Sequence, residues 1–306
     1  MQLSENPITK IIYEKLKYKN FNNLNKLIFD KDRLSNFQFT LNDLKVDITR
    51  QSLDNEIKND LIDLAKTAKV KEKIYEMVSG LKINKSEARS VDHFNLRKNE
   101  RFETQEWKDL INFTKVTLGK KLFKNIVNVG VGGSDLGPLM INQALKGFYK
   151  GPEILYVSNI DPLNLIEVFE NCNPKTTLFI ITSKSFGTHE TLENAKIIKN
   201  WLAKSNVALN EAMVAVTSSK EKAEKWGFNK SNIFYFSENI GGRYSLWSSV
   251  GMSILISLGE ENYKKFLHGA QTMDEHFVNE EIEGNIPIIL ALLRIWNRNF
   301  LNRNNH

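Results

Sequence analysis

The chain has 306 residues, of which 41% are apolar, 10% aromatic and 25% charged, a globular composition that argues against a disordered chain, a collagen-like chain and a small disulfide scaffold. The net charge of +6 comes from lysines interspersed with acidic residues, without the clustered basic patch and interleaved aromatics that nucleic-acid binding needs. No run approaches the roughly 18 consecutive apolar residues of a membrane span. The single cysteine, Cys172, allows no internal disulfide and no multi-cysteine metal site, and reads as a small buried apolar residue. The polar start (Gln2, Ser4, Glu5) has neither the basic nor the apolar region of a secretory signal, which fits a reducing cytoplasm.

Three zones follow in chain order. Residues 1–118 read as mainly helical and polar: Leu61, Ile62, Leu64, Ala65, Ala68 and Val70 recur at helical spacing, while Phe37–Leu41 alternates like a short strand. Residues 119–258 carry five apolar runs, Ile126–Val131, Ile154–Ser158, Thr177–Thr182, Met213–Thr217 and Ile233–Phe236, most of them followed by a helical pattern. Asp161-Pro162 supplies an N-cap and a proline at the first helical position, and a charged helix closes at Gly227. Continuous apolar strands alternating with helices predict a parallel sheet covered on both faces. Residues 259–306 read as helical again, with one helix closing at Gly259 and another starting at Pro287.

Open parallel sheets bind ligands at the carboxyl ends of their strands, which directs attention to three loops. Gly130-Val131-Gly132-Gly133-Ser134-Asp135-Leu136-Gly137-Pro138 follows the first strand, and its backbone N–H groups could cradle an anion. A dinucleotide fingerprint would need glycine where Asp135 stands, and an acid near the end of the second strand, where the sequence reads Ser158-Asn159. A tight structural turn and contact with another small ligand both remain open. Ser183-Lys184-Ser185-Phe186-Gly187-Thr188 follows the third strand and opens a helix, a setting that suits a phosphate or a plain Ser/Thr N-cap with a solvated lysine. Gly241-Gly242-Arg243-Tyr244-Ser245-Leu246-Trp247 follows the fifth strand. Arg243 could stabilise negative charge developing on an oxygen, or pair structurally with a carboxylate.

Together these loops resemble the glucose-6-phosphate (phosphoglucose) isomerase family. The flanks agree: Lys82-Ile83-Asn84, His93, Leu96-Arg97, Met273-Asp274-Glu275-His276-Phe277 and Asn285-Ile286-Pro287. The likeness runs from about residue 25 to the end, with Ser185, Gly187, His189 and Asp92 as local departures. The resemblance implies a sugar-isomerase (SIS) α/β/α three-layer sandwich around a five-stranded parallel sheet. It implies interconversion of glucose 6-phosphate and fructose 6-phosphate through a cis-enediolate, with no metal and no organic cofactor. By that resemblance Ser183, Lys184, Ser185 and Thr188 hold the phosphate, Gly133 and Ser134 line the sugar, Phe186, Gly187 and Gly242 are further substrate-binding residues, and Arg243 stabilises the enediolate. It also implies a hexose 6-phosphate ligand, a homodimer for the full-length family, and no nucleic-acid or membrane partner. In that family the glutamate base, the ring-opening histidine and a late lysine lie beyond the stretch matching residue 306. The chain is therefore expected to be incomplete, with little or no turnover alone. A non-catalytic sugar-phosphate-binding SIS module is the alternative.

Overall fold

The computed structural model describes residues 3–19, 29–119 and 122–303. The chain folds into two compact units, one drawn from Met1–Ser79 with Thr272–His306, the other from Gly80–Gln271.

The first unit is helical, with one hairpin. Strands β1 (Gln38–Leu41) and β2 (Leu44–Asp47) pair antiparallel with Leu41 opposite Leu44, and Asn42 takes the left-handed conformation of the turn at φ 51°. β1 is the alternating stretch that the sequence reads as a strand. Asp54 caps the helix Asn55–Thr67 by accepting from Ile57 N at 2.9 Å. That helix buries Ile57, Leu61, Ile62, Leu64 and Ala65 against Ile12, Phe37, Ile289 and Trp296. The periodic run expected to reach Val70 breaks instead at Lys69, whose φ of 56° ends one helix and lets Val70–Val78 start another. Arg33, 3% exposed, donates to the carbonyls of Thr49, Gln51 and Leu53 at 2.5–2.8 Å. These charge-assisted bonds satisfy both the buried cation and a loop that lacks a ladder of its own.

The second unit is an α/β/α sandwich. Strands β3 (Asn125–Val129), β4 (Glu153–Val157), β5 (Thr177–Thr182), β6 (Met213–Thr217) and β7 (Ile233–Tyr235) form one parallel sheet in the order β4-β3-β5-β6-β7. These are the five apolar runs, each within one or two residues of its expected end. Alternate residues serve opposite faces, because successive strand side chains point to opposite sides. Ile126, Leu178, Ile180, Val214 and Phe234 pack with the helix Gln105–Gly119, with Ile141 of Leu136–Leu145, and with Ile254 to Leu258 at the start of the helix Met252–Asn279. Val127, Val129, Phe179, Ile181, Met213 and Ala215 pack with the helices Pro162–Asn171, His189–Lys204 and Lys220–Trp226. Each fully buried Ile, Leu or Phe contributes about 1.5–3 kcal/mol relative to exposure, so covering both faces is the main stabilising term of this unit. Gly259, at φ 77° and ψ 161°, interrupts the helix Met252–Asn279 where the sequence places a stop. Cys172 is buried in the second of these clusters.

The strand order places the candidate site. The chain enters at β3, moves outward to β4, then crosses back past β3 to β5 and continues to β7. Connections leave β3 and β5 in opposite directions, which opens a crevice at their carboxyl ends. The loops after β3 and β5 flank that switch point.

Candidate active site

The loop after β3 is drawn back over the sheet. Asn128, fully buried within β3, donates from Nδ2 to Ser134 O at 3.0 Å. Gly132 adopts φ 61° and opens a single 3-10 turn, Gly132–Ser134. Gly133 meets the third loop backbone to backbone: a Cβ there would lie 2.3 Å from Gly242 O and 2.4 Å from its carbonyl carbon. Ser245 pins the crossing, donating to Gly242 O at 2.6 Å and lying 3.3 Å from Gly133 O. Asp135 is 4% exposed. Burial pushes its carboxyl above the ordinary carboxylate range, with hydrogen bonding to Ser158 opposing the shift.

The loop after β5 is a polar turn at a helix start. Ser183 N donates to Val216 O at 3.1 Å, extending the sheet by one residue, and Ser183 Oγ lies 3.1 Å from Thr188 Oγ1. Thr188 is the N-cap of the 16-residue helix His189–Lys204, yet its side chain makes no capping hydrogen bond. The first turn therefore keeps N–H groups and the positive end of the helix dipole for a ligand. Ser185 and Gly187 are exposed. Phe186, expected among the binding residues, turns its ring into the core at φ 44°, edge-on to Trp226 and Phe228 with centroids 6.4 and 5.9 Å away. Only its peptide group remains in the loop, with N–H donating to Ser183 O at 3.1 Å. Lys184 reaches across to the third loop, where Nζ donates to Ile240 O at 2.9 Å. Lys222, which the sequence reading did not single out, donates to Ser185 O at 3.2 Å.

The third loop ends in the 3-10 turn Gly242–Trp247. Arg243 is exposed, and its guanidinium makes no hydrogen bond or ion pair among the described residues. The pairing with a carboxylate that the sequence left open does not occur. Tyr244 stacks on His93 at 4.7 Å between centroids and 17° between planes. Burial, and secondarily the positive charge of Arg97, lowers the His93 imidazole to about 4, so the ring is neutral at pH 7.

A cavity of about 500 Å³ lies behind this loop, lined by residues that include Asp92, Asn95, Arg101, Tyr235 and Ile240. It contains none of the residues expected to bind substrate, and its mixed charges differ from the convergent donors of the three loops. Among the described residues, no three His, Cys, Asp or Glu side chains are grouped to hold a metal ion. None of their helices is long and apolar enough to cross a membrane.

The three loops at the carboxyl edge of one sheet thus present hydroxyls, a helix N-terminus and two cations to one region. The sequence model of the phosphoglucose isomerase family matches residues 47–306. The chain belongs to that family. Glucose-6-phosphate isomerase of Buchnera aphidicola from Acyrthosiphon pisum (strain Tuc7) is 39% identical over 308 residues, covering 93% of this chain and 56% of its own. The enzyme of that name from Campylobacter jejuni subsp. doylei is 38% identical, covering 92% and 56%. The chain spans little more than half the length of the curated relatives it matches. A glucose-6-phosphate isomerase structure from Chlamydia trachomatis superposes with a TM-score of 0.85 at 24% identity, covering 97% of this chain and 61% of that one, and shares the fold. A hypothetical protein from Thermus thermophilus shares it more loosely, with a TM-score of 0.60 and 22% identity over 78% of this chain and 55% of that one.

Asn128 and Asp135 also shape the site without having been singled out as functional. Both carry a weak signal: a polar residue inside an otherwise apolar strand, and an acid where a glycine-rich loop enters a helix.

Proposed function

We propose that this member of the family binds a hexose 6-phosphate and takes part in interconverting glucose 6-phosphate and fructose 6-phosphate through a cis-enediolate. The observation that supports this most is the Ser183–Thr188 turn, where two hydroxyls lie 3.1 Å apart at the N-terminus of a 16-residue helix whose N-cap makes no side-chain capping bond. Ser183, Ser185 and Thr188 would donate to the phosphate oxygens, with the dipole and the Lys184 charge adding attraction. Gly133 and Ser134 would lie along the sugar, with Gly242 across from them. Removing the C2 proton of the open-chain sugar creates an enediolate with new charge on oxygen. The unpaired Arg243 guanidinium would stabilise that charge mainly in the transition state. The reaction also needs a base for the C2 proton, a role that no residue described at this site fills. We place the reaction in the cytoplasm and the working assembly as a homodimer, on the likeness to the family alone.

The test is titration of the chain with fructose 6-phosphate, alongside a turnover assay. Binding that weakens about tenfold in Ser183→Ala, one lost charge-assisted hydrogen bond, supports the reading. Unchanged binding in that variant, or no binding by a folded sample, overturns it. Binding without turnover fits the absence of a base from this site. Turnover comparable to that of a complete isomerase would put the base within these residues, with Glu190 as the first candidate.

A further inference from the structure

We propose that Lys184 is a positioning residue that makes the placement of Arg243 depend on phosphate occupying the Ser183–Thr188 loop. The inference rests on the reading of that loop as the phosphate site. Lys184 is anchored at its backbone, where its carbonyl accepts from Ser218 N and Thr217 Oγ1, both at 3.0 Å, at the end of β6. Its side chain crosses to the third loop and donates to Ile240 O at 2.9 Å. Ile240 is 1% exposed, and its own N–H donates to Ser237 O at 3.2 Å. The loop next turns through Gly241, whose carbonyl accepts from Tyr244 N at 2.9 Å, and this turn carries Arg243. The ammonium therefore bridges from the phosphate turn to a carbonyl three residues ahead of the guanidinium.

An ammonium has three donors, and Ile240 takes one. A phosphate seated on Ser183 and Thr188 accepts a second, and a charged acceptor makes a stronger bond than a carbonyl does. Phosphate then fixes the ammonium at both ends and holds the Ile240–Arg243 segment. Without phosphate, the ammonium is held only by Ile240 O, and Ile240–Arg243 is restrained by that bond together with the packing of Gly242 on Gly133 and the Ser245 bond to Gly242 O. A hexose without phosphate is thereby disfavoured twice: it forfeits the phosphate contacts, and it meets an Arg243 that is not yet held. Selectivity at one end of the ligand becomes preorganisation at the other.

Amide hydrogen exchange of the 306-residue chain tests this, in the wild type, Lys184→Met and Lys184→Arg, with and without inorganic phosphate. Without phosphate, Lys184→Met should raise exchange across Ile240–Arg243 at least tenfold and leave β5 and β6 unchanged, while Lys184→Arg stays within about threefold of the wild type. Phosphate should slow exchange of both Ser183–Thr188 and Ile240–Arg243 in the wild type, with one midpoint, and only the first segment in Lys184→Met. Equal exchange of Ile240–Arg243 in the wild type and Lys184→Met overturns the coupling. An equal phosphate response of that segment in both proteins does so as well. Should the variants fail to fold, two different midpoints in the wild type alone also overturn it. If phosphate slows neither segment of the wild type, the phosphate reading of the loop itself fails, and the coupling falls with it.

Discussion

The two sides of the candidate site are built on different physics. Where Gly133 crosses Gly242, two backbones touch and the constraint is steric, since a Cβ on Gly133 would sit 2.3 Å from a carbonyl oxygen. At Ser183–Thr188 the constraint is polar: hydroxyls and peptide groups meet at a helix end, and the exposed Ser185 and Gly187 leave it open. The first arrangement fixes the distance between loops that arise more than a hundred residues apart. The second supplies the chemistry that an anion needs. Damage to the crossing should therefore register as lost stability together with lost binding, and damage to the turn as lost binding alone.

The largest expected effect is Gly133→Ala. Its methyl group meets backbone rather than a flexible side chain, so the loops must separate, at a cost of about 1–3 kcal/mol and a lower thermal midpoint. Gly242→Ala is the matched control, because a Cβ at Gly242 would meet nothing within 4 Å. Its stability should stay within about 0.5 kcal/mol of the wild type. Thermal unfolding of the pair decides the point, since equal midpoints would show that the crossing bears no steric load.

Next in size is Thr188→Val, which keeps the shape and removes the hydroxyl. Affinity for inorganic phosphate should fall about tenfold, while stability changes by no more than about 1 kcal/mol, because the Thr188 side chain caps nothing. A large drop in stability with intact phosphate binding would reverse the comparison and make the turn structural.

Much of this architecture is legible in the sequence, for a local reason. The sheet strands are runs of Val, Ile, Phe and Leu, because both faces of a parallel sheet are covered, and each run needs only its own composition to be seen. The N-cap at Asp161 and the helix stops at Gly227 and Gly259 are equally local. What escapes depends on partners distant in sequence. Glycine at 133 announces a close approach but not that Gly242 is what approaches. Phe186 reads as a loop residue because the pocket that takes its ring is made by Trp226 and Phe228, some forty residues later. Lys184 reads as a phosphate ligand, since nothing near it shows that Ile240 O lies within reach. That residues near both ends of the chain share one unit around Trp296 likewise has no local signature.

The smallest expected effects are pH dependences of opposite sign on the two loops that meet at the crossing. His93, under the third loop, has its folded pKa depressed from 6.5 to about 4. The folded state therefore favours the neutral ring, so the stability this group contributes is present above pH 6.5 and is lost as pH falls towards 4. His93→Phe keeps a ring against Tyr244 without a titrating group, and the gap between wild type and variant should shift against the wild type across that window. Asp135, on the first loop, is raised above its ordinary value of 3.8. Its contribution is complete below that pH and is lost as pH rises through the folded value, so lowering the pH should favour the wild type over Asp135→Asn. Urea unfolding of the two pairs between pH 7 and pH 4 should give difference curves of opposite slope. Burial moves an acid up and a base down, so parallel slopes would mean that one of the two shifts is not set by burial, and would remove the electrostatic part of the comparison while leaving the steric part to stand on Gly133.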